Sequence, residues 1–296
     1  SLTIAGTSVD KVSAASGNAG GIVGSATDGT ISLKTETADG TNDPTTFTFA
    51  DVLTLSAGSE KAVGGLIGAY SVTSERNGTP INFNLSQYQF KSITVTGGKD
   101  VGGLFGALKN TSTISATVTV SGKTTSAITT NVTNVTNENE VKNLGGLIGT
   151  YDTVESTNSN SAAVMKNTLT IKGESNKDGS FIAAVTTGGS KANTTYGGVI
   201  GAVSGSSYVE IENVSASIAD MKNSDKTSVG GLVGKMNDGF LNVGSVKLAT
   251  TGVNDLGKAA EKNTTDADNV DGHGGLVGHL VKGVLRLHGE TNLSGQ

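Results

Sequence analysis

The chain has 296 residues, a net charge of −5, 35 % apolar and 16 % charged residues, and neither cysteine nor tryptophan. Absence of cysteine excludes disulfides, thiolate metal sites and a cysteine nucleophile. Lysines scattered singly through an acidic chain leave no basic stripe for nucleic acid, and no apolar run is long enough to span a membrane.

The opening SLTIAGTSVD lacks the basic start and long apolar stretch of an export signal, so any signal or anchor is expected outside this segment. SLTIAG (1–6) reads as a strand leading into a pentamer, GGIVG (20–24). The pentamer then returns as GGLIG (64–68), GGLFG (102–106), GGLIG (145–149), GGVIG (197–201), GGLVG (230–234) and GGLVG (274–278). These seven copies hold 21 of the 43 glycines. Their spacings of 44, 38, 43, 52, 33 and 44 residues average about 42, within the range of stacked repeats.

After each pentamer a period-two segment follows: TISLKTE (30–36), INFNLSQ (81–87), TISATVTV (113–120), NTLTIKG (167–173), YVEIENV (208–214), GSVKLAT (244–250) and GVLRLHG (283–289). In the first, Ile31 and Leu33 point one way and Ser32, Lys34 and Glu36 the other, the pattern of a half-buried strand. DVLTLSAG (51–58) and KSITVTGG (91–98) add a further strand before the next pentamer. The expected unit is a pentamer strand, a second strand, often a third, and a polar loop. The chain opens late in one repeat and closes on GVLRLHGETNLSGQ without a polar cap, so residues 1–296 read as a single β-solenoid segment excised from a longer array.

Rich in Thr, Val, Asn and Gly and without a helical period, the sequence predicts an all-β fold. The leading expectation is a parallel β-solenoid, a right-handed β-helix of about seven irregular rungs marked by GGxxG, because stacked corners explain recurring glycine where backbones approach. A propeller and a sandwich stay open as alternatives. In a stack, Gly21 and its equivalents sit at the corner. The third pentamer positions form one ladder, Ile22, Leu66, Leu104, Leu147, Val199, Leu232 and Leu276, and the fourth another, Val23, Ile67, Phe105, Ile148, Ile200, Val233 and Val277. Either the glycines break the alternation and both ladders are buried, or one points outward and is covered by loops, a helix or another chain.

The pentamer followed by a turn and an alternating strand resembles the GLUG-type repeat of large bacterial surface proteins. GGLVGKMNDGFLNVGSVKL (230–248) carries it best, with an Asn237-x-Gly239 turn; GGIVGSATDGTISLK (20–34) follows, with Asp28 and Gly29 in the turn. The copies at 64 and 145 depart from it through longer loops. The resemblance implies an exported adhesin or filamentous surface protein with a β-helical rod, and carries over no functional residues.

Candidate chemistry is sparse. Glu210 and Glu212 share one strand face opposite Val209 and Ile211, with Thr170 and Lys247 expected beside them, so a paired-acid site lacks further acids and reads as a solvated face. Glu138 and Glu140 lie in a polar loop. His273, His279 and His288 cluster in the last repeat after Asp266, Asp268 and Asp271, at intervals matching no familiar metal spacing. GGxxG without a following helix or Lys-Ser/Thr is no phosphate loop, and no strained G-x-S-x-G turn supplies a serine nucleophile. Threonine ladders such as SITVTG and NTLTIKG raise a hydroxyl face for ice or a crystalline polysaccharide. Nine Asn-x-Ser/Thr sequons, at Asn77, Asn84, Asn110, Asn131, Asn134, Asn193, Asn213, Asn263 and Asn292, permit glycosylation.

The expectation is therefore a non-enzymatic structural segment at the cell surface, extracellular, needing no cofactor or metal. Host or neighbouring-cell ligands or glycans would be met through loops. A self-assembling filament subunit is the second reading and a polysaccharide-acting β-helix enzyme the third.

Overall fold

The computed structural model describes residues 11–29, 35–36, 42–43, 47–48, 53–73, 80–84, 88–89, 92–111, 116–122, 128–132, 141–153, 167–174, 181–187, 195–219, 228–251, 272–289 and 291–295. Among these residues there is no helix. Four stacks of short strands run through the chain, and within each stack every strand pairs in parallel with its equivalent one turn away. The fold is an all-β parallel solenoid.

Each turn visits the stacks in order. Sheet I holds Lys11–Ala14, Leu53–Ala57, Ser92–Val95, Ile128–Val132, Phe181–Thr187, Val214–Ala219, Val246–Thr251 and Thr291–Gly295. Sheet II is the short arm that ends on the first pentamer glycine, from Ala19–Gly20 to His273–Gly274, and sheet III begins on the fourth pentamer residue, from Val23–Thr27 to Val277–Leu280. Sheet IV contains Ile81–Asn84, Ala116–Gly122, Asn167–Gly173, Tyr208–Glu212, Phe240–Val243 and Val284–Leu287. The strand before the pentamer, expected only in some repeats, thus recurs at every turn.

Period-two sequence does what it should. In sheet IV, Val118 and Val120, Leu169 and Ile171, Val209 and Ile211 and then Leu241 and Val243 are buried, while Thr117, Thr119, Thr168, Thr170 and Glu210 lie on the other side, half-exposed. Sheet I buries Leu53, Leu55, Ile93 and Val95 in the same way. One register expectation is corrected. GSVKLAT is not the second strand of its turn: Gly239, at a φ of +107°, makes the turn, so the sheet IV strand starts at once with Phe240, and Val246–Thr251 belongs to sheet I. Of TISLKTE, residues 30–34 lie outside the described residues, and Thr35–Glu36 pairs antiparallel with Asn42–Asp43. SLTIAG also lies outside them.

The pentamer is a corner with an unusual hydrogen-bond pattern. The N–H groups of Leu66 and Ile67 both donate to the carbonyl of Leu104, at 3.0 and 2.9 Å. Leu104 and Phe105 repeat this on Leu147, Leu147 and Ile148 on Val199, Val199 and Ile200 on Leu232, and Leu232 and Val233 on Leu276; Ile22 and Val23 do the same to Leu66. Two successive N–H groups converging on one carbonyl mark a bend between sheets II and III, which breaks the alternation. Third and fourth pentamer positions can then both turn inward. Leu66 is 1 % exposed, and Ile67, Leu104, Phe105, Leu147, Ile148, Val199, Ile200, Leu232 and Val233 are fully buried in one core. In the first and last turns Ile22, Val23, Leu276 and Val277 are half-buried against the same core. The question of which ladder faces the core resolves to both.

Glycine is required because the corner is folded tightly into the interior. A Cβ on Gly64 would overlap the Ile67 carbonyl across the corner and lie 2.6 Å from the Gly106 nitrogen. A Cβ on Gly65 would overlap the Gly103 carbonyl one turn on and the Ile93 side chain of sheet I. The second glycines elsewhere meet sheet I likewise: Gly21 would come within 2.9 Å of Leu53, Gly103 within 2.8 Å of Ile128 and Gly231 within 2.9 Å of Leu248. The tips of these corners are therefore seated on the inner face of sheet I, and the buried Thr130 hydroxyl donates to the Gly146 carbonyl there at 3.4 Å.

Candidate functional site

The outer face of sheet IV carries a connected polar side-chain network. Its position follows from the turn before it. Gly205 (φ +75°), Gly239 (+107°) and Gly283 (+129°) shape the turns between sheets III and IV, and the residue that opens the strand is Tyr208, Phe240 or Val284, which pair in register. Thr117 and Thr168 continue the same column on the other side of Tyr208. The Tyr208 and Phe240 rings stack, with centroids 5.5 Å apart and planes 12° from parallel.

Two residues along, the column reads Asn82, Thr119, Thr170, Glu210, Asn242 and Arg286. Glu210 is therefore flanked by Thr170 and Asn242; Lys247, expected there from the sequence, pairs instead with Ser215 in sheet I. The Asn242 amide donates to Glu210 Oε1 at 3.2 Å and contacts His288 Nε2 at 2.9 Å. In this orientation the His288 nitrogen accepts, which places the imidazole proton on Nδ1. Asn242 is only 7 % exposed, and its Oδ1 has no hydrogen-bond partner among the described residues.

The next column holds Lys172 opposite Glu212, joined by a 2.8 Å ion pair. Its next position is Gly244, where a Cβ would crowd Glu212 at 2.9 Å and His288 at 3.3 Å, so the absent side chain is what lets those two groups lean toward each other. The Glu212 hydrogen bond and charge hold the Lys172 ammonium above its usual range. Tyr208 is raised first by burial and then by the Glu210 charge, against the Asn242 amide and Arg286, which pull it down.

The other sequence candidates lie elsewhere on the coil. His273 lies in a sheet II strand, His279 in sheet III beside Lys235, and His288 just past sheet IV. Asp266, Asp268, Asp271, Glu138 and Glu140 lie outside the described residues. Among the described residues no group of three His, Cys, Asp or Glu side chains is arranged for a metal. The Asn110 sequon is closed, since its side chain is buried and bonded to Asn167; Asn213, at a φ of +56°, donates to the Gly173 carbonyl at 3.3 Å. Sheet II carries a second polar cluster, in which Asn143 donates to Asp100 at 2.7 Å and Glu60 bridges Lys99 and Lys142 at 3.1 and 3.7 Å.

The Tyr208–Phe240 stack escapes a reading based on the pentamer alone. Its signal is the ring that directly follows the turns GSSY and NDGF, visible once the copies are aligned on the turn. With this geometry in hand, comparison with family models, curated proteins and solved structures finds no match to the chain.

Proposed function

We propose that this chain is a rigid rod segment of an extracellular bacterial surface protein, serving as an adhesin stalk or filament. The observation that supports this reading is the continuity of all four sheets from turn to turn, each bonded to the next through backbone groups and a shared apolar core. Such a body resists bending and extension because deforming it must break parallel ladders on several sides together. Its work is mechanical, and it carries no chemistry of its own. Its outward placement rests on the resemblance of GGLVGKMNDGFLNVGSVKL to surface-protein repeats. Surface ligands or glycans are its partners, rather than nucleic acid.

Small-angle scattering and negative-stain microscopy of the purified chain test the rod. It should lengthen by about 4.8 Å for each turn added by duplication, and a particle whose longest dimension does not change would refute it. Antibody labelling of intact source cells tests the location separately: signal only after permeabilisation would remove the surface assignment.

A self-assembling filament subunit is the second reading, since a parallel solenoid can add turns of the same kind end to end. Concentration-dependent sedimentation that is abolished by Val284→Glu would favour it, and a monomer at every concentration would exclude it.

A further inference from the structure

The sheet IV column changes abruptly in size between two turns. Phe240 and Tyr208 stack ring on ring, and on the far side of Tyr208 the register places Thr168 and then Thr117. Among the described residues no ring continues the column, so the second face of Tyr208 borders a step whose floor is Thr168 and Thr170, with Thr117 and Thr119 one turn further. All four threonines and Tyr208 are half-exposed.

The groups around this step form a coherent set. Glu210 is next to Thr170 in register and on the same strand face as Tyr208. Asn242 engages Glu210 Oε1 from the opposite side and fixes the carboxylate, which stays half-exposed. The lysine beside the step, Lys172, is already paired with Glu212. One wall is therefore an aromatic face, the floor is hydroxylic, and the charged acceptor at the edge is oriented by a nearly buried amide. A pyranose ring is the ligand whose chemistry matches: its C–H face packs on an aromatic ring, and its hydroxyls donate to a carboxylate and exchange hydrogen bonds with threonine. An acidic sugar is disfavoured, because Glu210 would repel it and Lys172 is engaged.

We propose that the step formed by Tyr208, Glu210, Thr168 and Thr170 on the outer face of sheet IV binds a neutral saccharide. Recognition then lies on the regular face of the coil, in addition to any loops. The inference is independent of the stalk reading, which is judged by particle shape and location and can fail while this stands.

Isothermal titration of the full chain with cellohexaose, maltohexaose and chitohexaose, checked by saturation-transfer NMR, tests it. At least one probe should bind. Tyr208→Ala and Glu210→Gln should each weaken that binding by about tenfold, the loss of roughly one good contact. The decisive variant is Thr168→Phe, which extends the aromatic column and fills the step: it should abolish binding while leaving the melting temperature unchanged or higher. Because that variant gains packing, lost binding cannot be assigned to unfolding. The proposal is overturned if none of the three probes binds, or if binding survives Thr168→Phe.

Discussion

Replacing Gly64 with alanine tests whether the pentamer is a corner whose backbones touch. The added Cβ would overlap the Ile67 carbonyl and lie 2.6 Å from the Gly106 nitrogen and 2.7 Å from the Leu104 oxygen. All three obstacles are backbone, on two successive turns, so no rotamer change relieves them. Ordinary overpacking destabilises by about 1–3 kcal/mol, and obstruction by backbone on two turns places this substitution at about 3 kcal/mol or above. In a domain of this size that corresponds to a fall of roughly 6–12 °C in melting temperature. Hydrogen exchange gives the local readout, since stacked repeats can open by parts. The Leu66 and Ile67 amides, which share the Leu104 carbonyl, should exchange much faster in the variant. Gly17→Ala is the control, because its Cβ would meet nothing nearer than Ala14 at 3.9 Å. Gly64→Ala within about 0.5 kcal/mol of the parent, the usual range of a surface substitution, would refute the reasoning.

Two tyrosines of the same buried column should respond oppositely to loss of the hydroxyl. Tyr70 donates to the Gly29 carbonyl at 2.6 Å, so Tyr70→Phe should destabilise by about 1 kcal/mol in urea titration; Tyr151 is fully buried with no partner for its hydroxyl among the described residues, so Tyr151→Phe should stabilise by about 1 kcal/mol. Burial raises the Asp100 carboxyl above its ordinary value, more than the Asn143 hydrogen bond and nearby lysines lower it. With the folded value above the unfolded one, ionised Asp100 opposes folding at neutral pH, and that penalty disappears on acidification below the unfolded value. Asp100→Asn should therefore be more stable than the parent at pH 7, with the difference shrinking in acid when both are melted across pH. The Lys172–Glu212 pair joins groups that are 50 % and 30 % exposed, so Lys172→Ala should cost no more than about 0.5 kcal/mol, and less in high salt.

How far the sequence reveals these features depends on whether a local pattern determines them. Alternation in NTLTIKG marks Asn167–Gly173 residue for residue, since a strand with one buried face must repeat at period two. The pentamer spacing marks the turns for the same reason: glycine was needed wherever the corner met backbone. The inward turn of both Leu66 and Ile67 was legible as one of two alternatives, because the corner glycines can break the alternation; the shared acceptor on the next turn and the burial of both side chains decide it. Register between turns was hidden. Loop lengths differ, so the partner of Glu210 could not be obtained by counting, and the choice of Lys247 over Asn242 came from aligning GSVKLAT with the wrong stack. The step at Tyr208 required that register before a ring 32 residues from Phe240 could be seen beside it.

The shared-acceptor corner also makes length an inheritable variable. At each of the six joints between successive corners, the earlier corner's two N–H groups meet the carbonyl of the later one, so all the joints have one direction and one fitting. Residues 64–68 and 145–149 are the same five letters, GGLIG. A recombination that joined them would remove two whole turns and leave a corner on each side that still matches. A gene built of such joints can lengthen or shorten its product by unequal exchange without designing a new interface, and the reach of the rod becomes something selection can adjust by the turn.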